Sequence, residues 1–389
     1  MINADLVGTI IMYIERKLDL NEVLKKKSCF LLGPRQTGKS SLIKHDLAKY
    51  PVYNLLDNET FLKLSHSPQK IRQELKPDKK IIIIDEIQKI PTLLDEVHLI
   101  IEEYGNRFLL TGSSARKLRR GGVNLLGGRA QIKYFHPLSF YELREKFNLL
   151  HAINHGLLPS IYFSSESEED LKSYAGAYLK EEIAQEALTR NVPAFSRFLE
   201  VAALCNGKLI NYTNISNDAQ VARSTIQEYF QILKDTLIAY EVTPWKKSSK
   251  RKPLSTSKLY FFDTGICRFL QNRTKTKLGS PEFGEGFESY IFHEIKTYAD
   301  YFNMGEVSYW RSKSGFEVDF ILEDIAIEVK ASKTISSSDL KGLTALSEEG
   351  KMRNYILVCL EEKERTINNI KIMPWEKFLQ KLWNNDLVK

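Results

Sequence analysis

Four consecutive isoleucines, Ile81 to Ile84, stand between lysines on one side and the acidic pair Asp85-Glu86 on the other. A β-branched run bounded in this way predicts a central strand of a parallel sheet, buried on both faces. Further apolar runs lie along the first half of the chain. Cys29 to Leu32, Pro51 to Leu56, Arg107 to Thr111 and Gln131 to Phe135 each read as a strand. Helical stretches separate them, the first running from Ser41 to Tyr50. This alternation predicts an α/β module with a parallel sheet over residues 1–140.

Past Tyr141 the pattern turns helical, with Tyr174, Tyr178 and Leu179 at helical spacing, and predicts a helical lid over 141–190. From Pro193 a new arrangement begins. Phe195, Phe198, Leu199, Ala202 and Ala203 form one apolar stripe, and a short helix fits Asn214 to Ala219. A third helix fits Ala222 to Lys234, with Ile226, Phe230 and Leu233 on one face and Arg223, Gln227 and Gln231 on the other. Strands at Ile238–Val242 and Lys258–Phe262 follow. Residues 191–265 therefore read as a winged helix-turn-helix. Residues 266–282 read as a linker, and 283–389 as a last α/β domain. In that last domain a helix through Phe287, Glu288, Ile291, Phe292, Glu294 and Ile295 precedes strands at Val307–Arg311, Glu317–Leu322 and Ile325–Lys330. Tyr355–Leu360 adds a strand and Trp375–Trp383 an amphipathic helix.

The first module carries a specific chemistry. Gly33-Pro34-Arg35-Gln36-Thr37-Gly38-Lys39-Ser40 fits the phosphate-binding pattern G-x-x-x-x-G-K-[ST], between a strand and a helix as that loop requires. Its glycines let backbone N–H groups close around a phosphate, and the helix N-terminus beginning near Ser41 adds partial positive charge. Lys39 is placed for the β- and γ-phosphates of ATP, and Ser40 for Mg²⁺. Asp85, at the end of the isoleucine strand, holds Mg²⁺ through water, and Glu86 orients and deprotonates the attacking water. If the Arg107–Thr111 strand lies between the loop strand and the Asp85 strand, Thr111 or Ser113 faces the γ-phosphate. Arg129 has two readings: an arginine presented to a neighbouring subunit's γ-phosphate, or a surface arginine paired with a carboxylate.

Bulk properties change the picture only locally. The chain has 389 residues, enough for two to four domains, and a formal net charge of +7. No apolar run reaches membrane-spanning length. The four cysteines are far apart, without metal-ligand spacing, and read as thiols of a reducing, cytoplasmic compartment. Charge is uneven. Between Tyr104 and Tyr141 there is no acid, while Arg107, Arg116, Lys117, Arg119, Arg120, Arg129 and Lys133 are present. Between Lys246 and Lys258 the same occurs, with Lys247, Lys250, Arg251 and Lys252. Such stretches suit a polyanion or a solvated face. On the winged helix they point to DNA: Arg223, Ser224 and Gln227 on the exposed side of the third helix, and Lys246, Lys247, Lys250, Arg251 and Lys252 on phosphates from the wing.

The segments GPRQTGKS, IIIIDEIQK, LLTGSS and LLGGR followed by HPLSFYEL resemble the AAA+-type ATPases of prokaryotes, in the subgroup with an AAA core, a winged helix and a C-terminal domain of uncharacterised type. The segment Tyr178–Ile183 resembles that family's lid. The resemblance implies ATP hydrolysis and a ring-shaped or transient oligomer. The C-terminal sequence of a helix acid, then Asp319, then Glu328-x-Lys330 resembles the PD-(D/E)xK nuclease fold. It implies Asp319 and Glu328 on a Mg²⁺ or Mn²⁺ ion, Lys330 orienting the attacking water, and Glu288 supporting from the helix, with Glu294 as the alternative. Cleavage and mere DNA binding both remain open on this pattern. So does a different class of function, a nucleotide-dependent signalling or defence switch with protein partners.

Overall fold

The computed structural model describes residues 13–75, 80–114, 126–178, 191–248 and 250–388. Two sheets organise it. The first holds β1 (Ser28–Leu32), β2 (Val52–Asn54), β3 (Ile81–Asp85), β4 (Arg107–Gly112) and β5 (Ala130–Tyr134). Its spatial order is β2-β3-β4-β1-β5, and every neighbouring pair is parallel. β1 and β3 are buried at every position, as a parallel sheet covered on both faces demands. The two-residue period divides their side chains. Phe30, Leu32, Ile82 and Ile84 join one core with Val97 and Ile100 of the Leu93–Tyr104 helix. Cys29, Leu31, Ile81 and Ile83 join a second core that continues into the C-terminal part of the chain.

Short helices at Leu149–His155, Pro159–Tyr162 and Ser167–Lys172 cover the edge of this module. Residues 179–190, with the lid-like segment beyond Tyr178, lie outside the described residues, as do Arg116, Lys117, Arg119 and Arg120. Helices Val192–Leu204, Tyr212–Ala219 and Arg223–Asp235 follow, then the antiparallel hairpin of β6 (Ala239–Pro244) and β7 (Lys258–Phe261).

Two expectations are corrected here. Residues 266–282 are not a free linker. Thr264–Leu270 is a helix capped by Asp263, and its Arg268 is buried, donating to Asn154 O at 2.7 Å and pairing with Glu168 at 2.7 Å. A seven-residue helix that buries Thr, Gly and Arg shows no apolar period, so the sequence pattern hides it. Nor does the hairpin stand as an independent wing. β6 pairs in parallel with β8 (Ser308–Arg311) through Thr243↔Ser308 and Pro244↔Tyr309. The hairpin thus becomes one edge of an eight-stranded sheet with β9 (Glu317–Leu322), β10 (Ile325–Val329), β11 (Asn354–Cys359), β12 (Arg365–Ile367) and β13 (Ile370–Pro374). The order is β12-β13-β11-β10-β9-β8-β6-β7.

The Pro281–Phe302 helix joins the parts. Its 22 residues span roughly 33 Å at 1.5 Å each. Near its C-terminal end Asn303 accepts from Lys133 at 2.7 Å, and Asp300 pairs with His136 at 2.7 Å, both just at or beyond β5. Midway, Glu294 accepts from Phe140 N and from Trp383 Nε1, each at 2.8 Å. Glu294 is therefore a strut between the first module and the Trp375–Trp383 helix. That use removes it as the alternative metal-supporting acid.

Candidate functional sites

The carboxyl ends of β1, β3 and β4 meet at one edge of the first sheet, where ligands of open α/β sheets bind. The loop Gly33–Ser40 leaves β1 there. Gly33 donates to Gly112 O at 3.2 Å, tying the loop to the end of β4. A Cβ at Gly33 would stand 2.2 Å from the Phe135 carbonyl oxygen. That neighbour is backbone and cannot swing aside. Gly33→Ala is expected to cost about 1–3 kcal/mol by overpacking and to weaken ATP binding. A denaturant midpoint and an ATP titration read the two effects.

Gly38 adopts φ +98°, a left-handed conformation that only glycine takes without strain, and opens the Lys39–Asp46 helix. Inside the loop, Thr37 Oγ1 donates to Pro34 O at 2.8 Å. The Lys39 ammonium bends back onto the carbonyls of Gly33 and Pro34 at 2.8 and 3.0 Å, in the hollow that a phosphate would fill. The covering helices touch the loop from outside. Ser160 donates to Gln36 Oε1 at 3.0 Å, and the Tyr174 hydroxyl donates to Arg35 O at 3.2 Å.

The acidic strand end completes the site. Ser40 Oγ donates to Asp85 Oδ2 at 3.0 Å. Thr111 Oγ1 donates to the other oxygen of Asp85 and accepts from Glu86 N at 3.1 Å. Glu86 sits at φ +64°, unusual for a residue with a side chain, and such conformations persist where the surroundings hold them. Gln88 Nε2 bonds the Glu86 carboxylate and also Ser113 Oγ, the latter at 3.2 Å. Ser40, Asp85, Glu86, Thr111 and Ser113, which the sequence singles out, are thus brought together. The condition on β4 is met, since it lies between β1 and β3. A hydroxyl and a carboxylate in contact at this edge are hard oxygen donors that suit Mg²⁺.

Arg129 is not part of this cluster. It precedes β5, whose first residue pairs with Ser28 at the opposite end of β1, about 16 Å from the loop at roughly 3.3 Å per residue. Its guanidinium pairs with Glu102 on the surface.

Two features escaped the sequence pattern. Gln88 is one: a lone glutamine after an acidic pair carries no spacing signal. The other is a cavity of about 130 Å³ beside Gly38 and Ser41, walled by Ile14, Leu138 and Phe163 and edged by Tyr13. Tyr13 stacks on His45 with ring centroids 4.1 Å apart and 13° between planes. A small, largely apolar slot opening next to a phosphate loop has the character of a base pocket. Arg16 closes its floor, donating to Thr37 O and His136 O at 2.7 Å each and pairing with Glu142 at 3.0 Å.

Comparison with known proteins agrees with this geometry. Residues 25–144 match the family model described as an AAA domain. The match supports a P-loop ATPase of AAA type. Residues 146–277 and 283–378 match two domains of unknown function, DUF8612 and DUF4143. Uncharacterised proteins of Mycobacterium bovis and Mycobacterium tuberculosis are each 25% identical over 343 residues, covering 84% of this chain and 76% of their own length. One from Methanocaldococcus jannaschii is 25% identical over 420 residues, covering 91% of this chain and 85% of its own. None of the described helices is long and apolar enough to cross a membrane.

A second constellation lies at the seam between the hairpin and the C-terminal strands. Asp319 on β9 accepts from Val329 N at 2.9 Å, and Glu328 pairs with Lys330 at 2.6 Å. Glu288 accepts from the Tyr260 hydroxyl at 2.6 Å. Burial and the nearby Asp319 charge push both Glu288 and Glu328 upward, Glu328 well above the usual carboxylate range. The expected acids therefore do share one electrostatic environment. They do not form a ready metal set. Among the described residues no group of three or more His, Cys, Asp or Glu is placed to hold a metal ion. The Lys258 ammonium lies among them instead, 2.6 Å from Glu317 and 3.7 Å from Asp319. The sequence places Lys258 in a basic stretch read as a solvated or polyanion-binding surface. It is buried, 4% exposed. The Mg²⁺ or Mn²⁺ expected on Glu288, Asp319 and Glu328 does not fit this arrangement.

The recognition face is as the pattern suggests: Arg223, Ser224 and Gln227 are exposed, with Ile226, Phe230 and Leu233 buried beneath. The wing is different. Lys246, Lys247, Lys250 and Lys252 are exposed, but Arg251 pairs with Glu348 at 2.7 Å, and the backbone N–H groups of Lys250 and Arg251 donate to Glu349.

Proposed function

We propose that this protein hydrolyses ATP at the loop edge of its first sheet and acts as a motor or switch on DNA. The observation that carries the hydrolytic part is the chain of contacts Ser40–Asp85–Thr111–Glu86 beside a loop whose lysine already lies in the phosphate hollow. In this reading the Lys39 ammonium exchanges the Gly33 and Pro34 carbonyls for β- and γ-phosphate oxygens. Ser40 and Asp85 would hold Mg²⁺, which when bound neutralises charge on the phosphates. Glu86 accepts a proton from the attacking water. Gln88 and Ser113 fix where that carboxylate stands, and Thr111 ties its backbone to Asp85. The slot walled by Ile14 and Phe163 takes the base. Arg129, at the far edge of the sheet, is too distant to serve its own loop, so a catalytic role for it requires a neighbouring copy of the chain, as in a ring or transient oligomer.

The exposed Arg223, Ser224 and Gln227 and the wing lysines support the DNA part. One observation favours the second reading, a nucleotide-dependent switch with protein partners: Arg251 and the wing backbone are already held by Glu348 and Glu349. One assay separates them. ATP turnover is measured alone and with single-stranded, duplex and four-way-junction DNA, with Lys39→Ala as the inactive control. Stimulation by DNA, with binding that weakens steeply as salt rises, is the expected result. Turnover that no DNA alters, alongside nucleotide-dependent self-association, would favour the switch. Equal turnover in Lys39→Ala would overturn the site itself.

A further inference from the structure

The seam between β7 and the C-terminal strands concentrates charge in a way that neither half explains alone. Glu288, Glu317, Asp319 and Glu328 contribute four carboxylates, all at least partly buried. Lys330 is held by Glu328, and Arg311 by Glu317 at 3.3 Å. The remaining cation is Lys258, which comes from β7 and so from the helix-turn-helix side. One carboxylate oxygen, Glu328 Oε2, is buried without a hydrogen-bond partner, and Glu328 itself is only 6% exposed. The charged neighbours that act on Glu328 are Asp319, Lys330 and Glu288. A buried acceptor with nothing donating to it, inside a cluster of acids, is costly. It marks a place where a cation with more coordination capacity than one ammonium would be stabilised.

We infer that Lys258 is an internal counter-ion standing where these acids would otherwise take up a hard divalent cation, so that the C-terminal site is closed to Mg²⁺ and Mn²⁺ while β7 lies against the Pro281–Phe302 helix. The inference deepens the nuclease-like reading of this domain and does not depend on ATP hydrolysis. An ammonium offers three N–H donors and one charge. A divalent ion accepts six or more oxygens and brings two charges, which suits carboxylates alone. The two occupants exclude one another, because neither a second cation nor the desolvation of both is supported in one small polar space. Tyr260, also on β7, holds Glu288 from the same side, so withdrawal of this one strand would free an acid and remove the blocking ammonium together. Through β7 the DNA-facing hairpin would then control whether the C-terminal acids can bind metal.

The test follows Mn²⁺ binding to the full chain without nucleotide, by the loss of the free-ion electron paramagnetic resonance signal. All chains carry Asp85→Asn, so that the nucleotide site is not counted. With Lys258 present, no saturable C-terminal site is expected. Lys258→Met is expected to gain one Mn²⁺ per chain, and adding Asp319→Asn should remove it. Lys258→Gln, which keeps a hydrogen-bond donor, is read in the same way if the methionine variant does not melt cooperatively. Mn²⁺ bound equally well with Lys258 in place, or no gain in either folded variant, would overturn the inference. ATP turnover measured on chains with Asp85 intact reports separately on the first site, so the two can fail independently.

Discussion

Glu86→Gln should bind ATP nearly as well as the unaltered chain and turn it over at least about 100-fold more slowly, within the roughly 10²- to 10⁴-fold that a positioned general base contributes. The affinity is expected to survive because the groups that grip the triphosphate are elsewhere. Lys39 reaches it from the loop, and Ser40 and Asp85 form a separate hydroxyl–carboxylate pair at 3.0 Å. Glutamine is nearly the shape of glutamate, so the left-handed backbone at position 86 and the bond from its N–H to Thr111 are kept. What is lost is a carboxylate able to accept the proton of water. Gln88 sharpens the test, since its amide now holds that carboxylate. A glutamine at position 86 can still accept this bond through its carbonyl, so the local network need not rearrange. ATP titration and single-turnover hydrolysis on one preparation separate binding from chemistry. Turnover within a factor of two of the unaltered chain would show that another group activates the water.

Much of this site was legible because its parts are local. The loop glycines, Lys39 and Ser40 fall within eight residues, and Asp85-Glu86 close a strand that its isoleucines announce. Periodicity also located the three helices of the helix-turn-helix and the strands holding Asp319 and Glu328. What stayed hidden depends on strands meeting out of sequence. The parallel pairing of β6 with β8 turns the hairpin into a sheet edge. Nothing in a run of six basic residues tells that Lys258 turns inward while Lys246, Lys247, Lys250 and Lys252 stay outside. Residue type cannot separate Glu288 from Glu294 either, six positions apart on one helix. Only their partners do: Tyr260 for the first, Phe140 N and Trp383 for the second. The base slot depends on Tyr13 and Ile14, which precede every recognisable motif.

Arg16, from the same early segment, carries the second large expectation. Arg16→Met should destabilise the first module by about 3–5 kcal/mol, the usual cost of removing one partner of a buried ion pair. The arginine is 8% exposed and Glu142 6%. Removing the guanidinium leaves the Glu142 carboxylate buried, with only the N–H groups of Lys17 and Ser139 donating to it. The same guanidinium stacks over Phe135 at 4.0 Å, bonds Thr37 O inside the phosphate loop, and reaches the Tyr301 hydroxyl on the Pro281–Phe302 helix at 3.3 Å. Its loss should therefore loosen the loop as well as the fold, and ATP affinity should fall with stability. The double variant Arg16→Met with Glu142→Gln distinguishes a stranded charge from lost packing. If the buried carboxylate is the main cost, neutralising it should recover a large part of the stability, while ATP affinity stays low because Thr37 O remains without its donor. Urea unfolding of both variants, with ATP titrations on each, reads the two effects. A single variant within 1 kcal/mol of the parent and with unchanged ATP affinity would mean that the loop is held by its own backbone and that Arg16 only fills space beneath it.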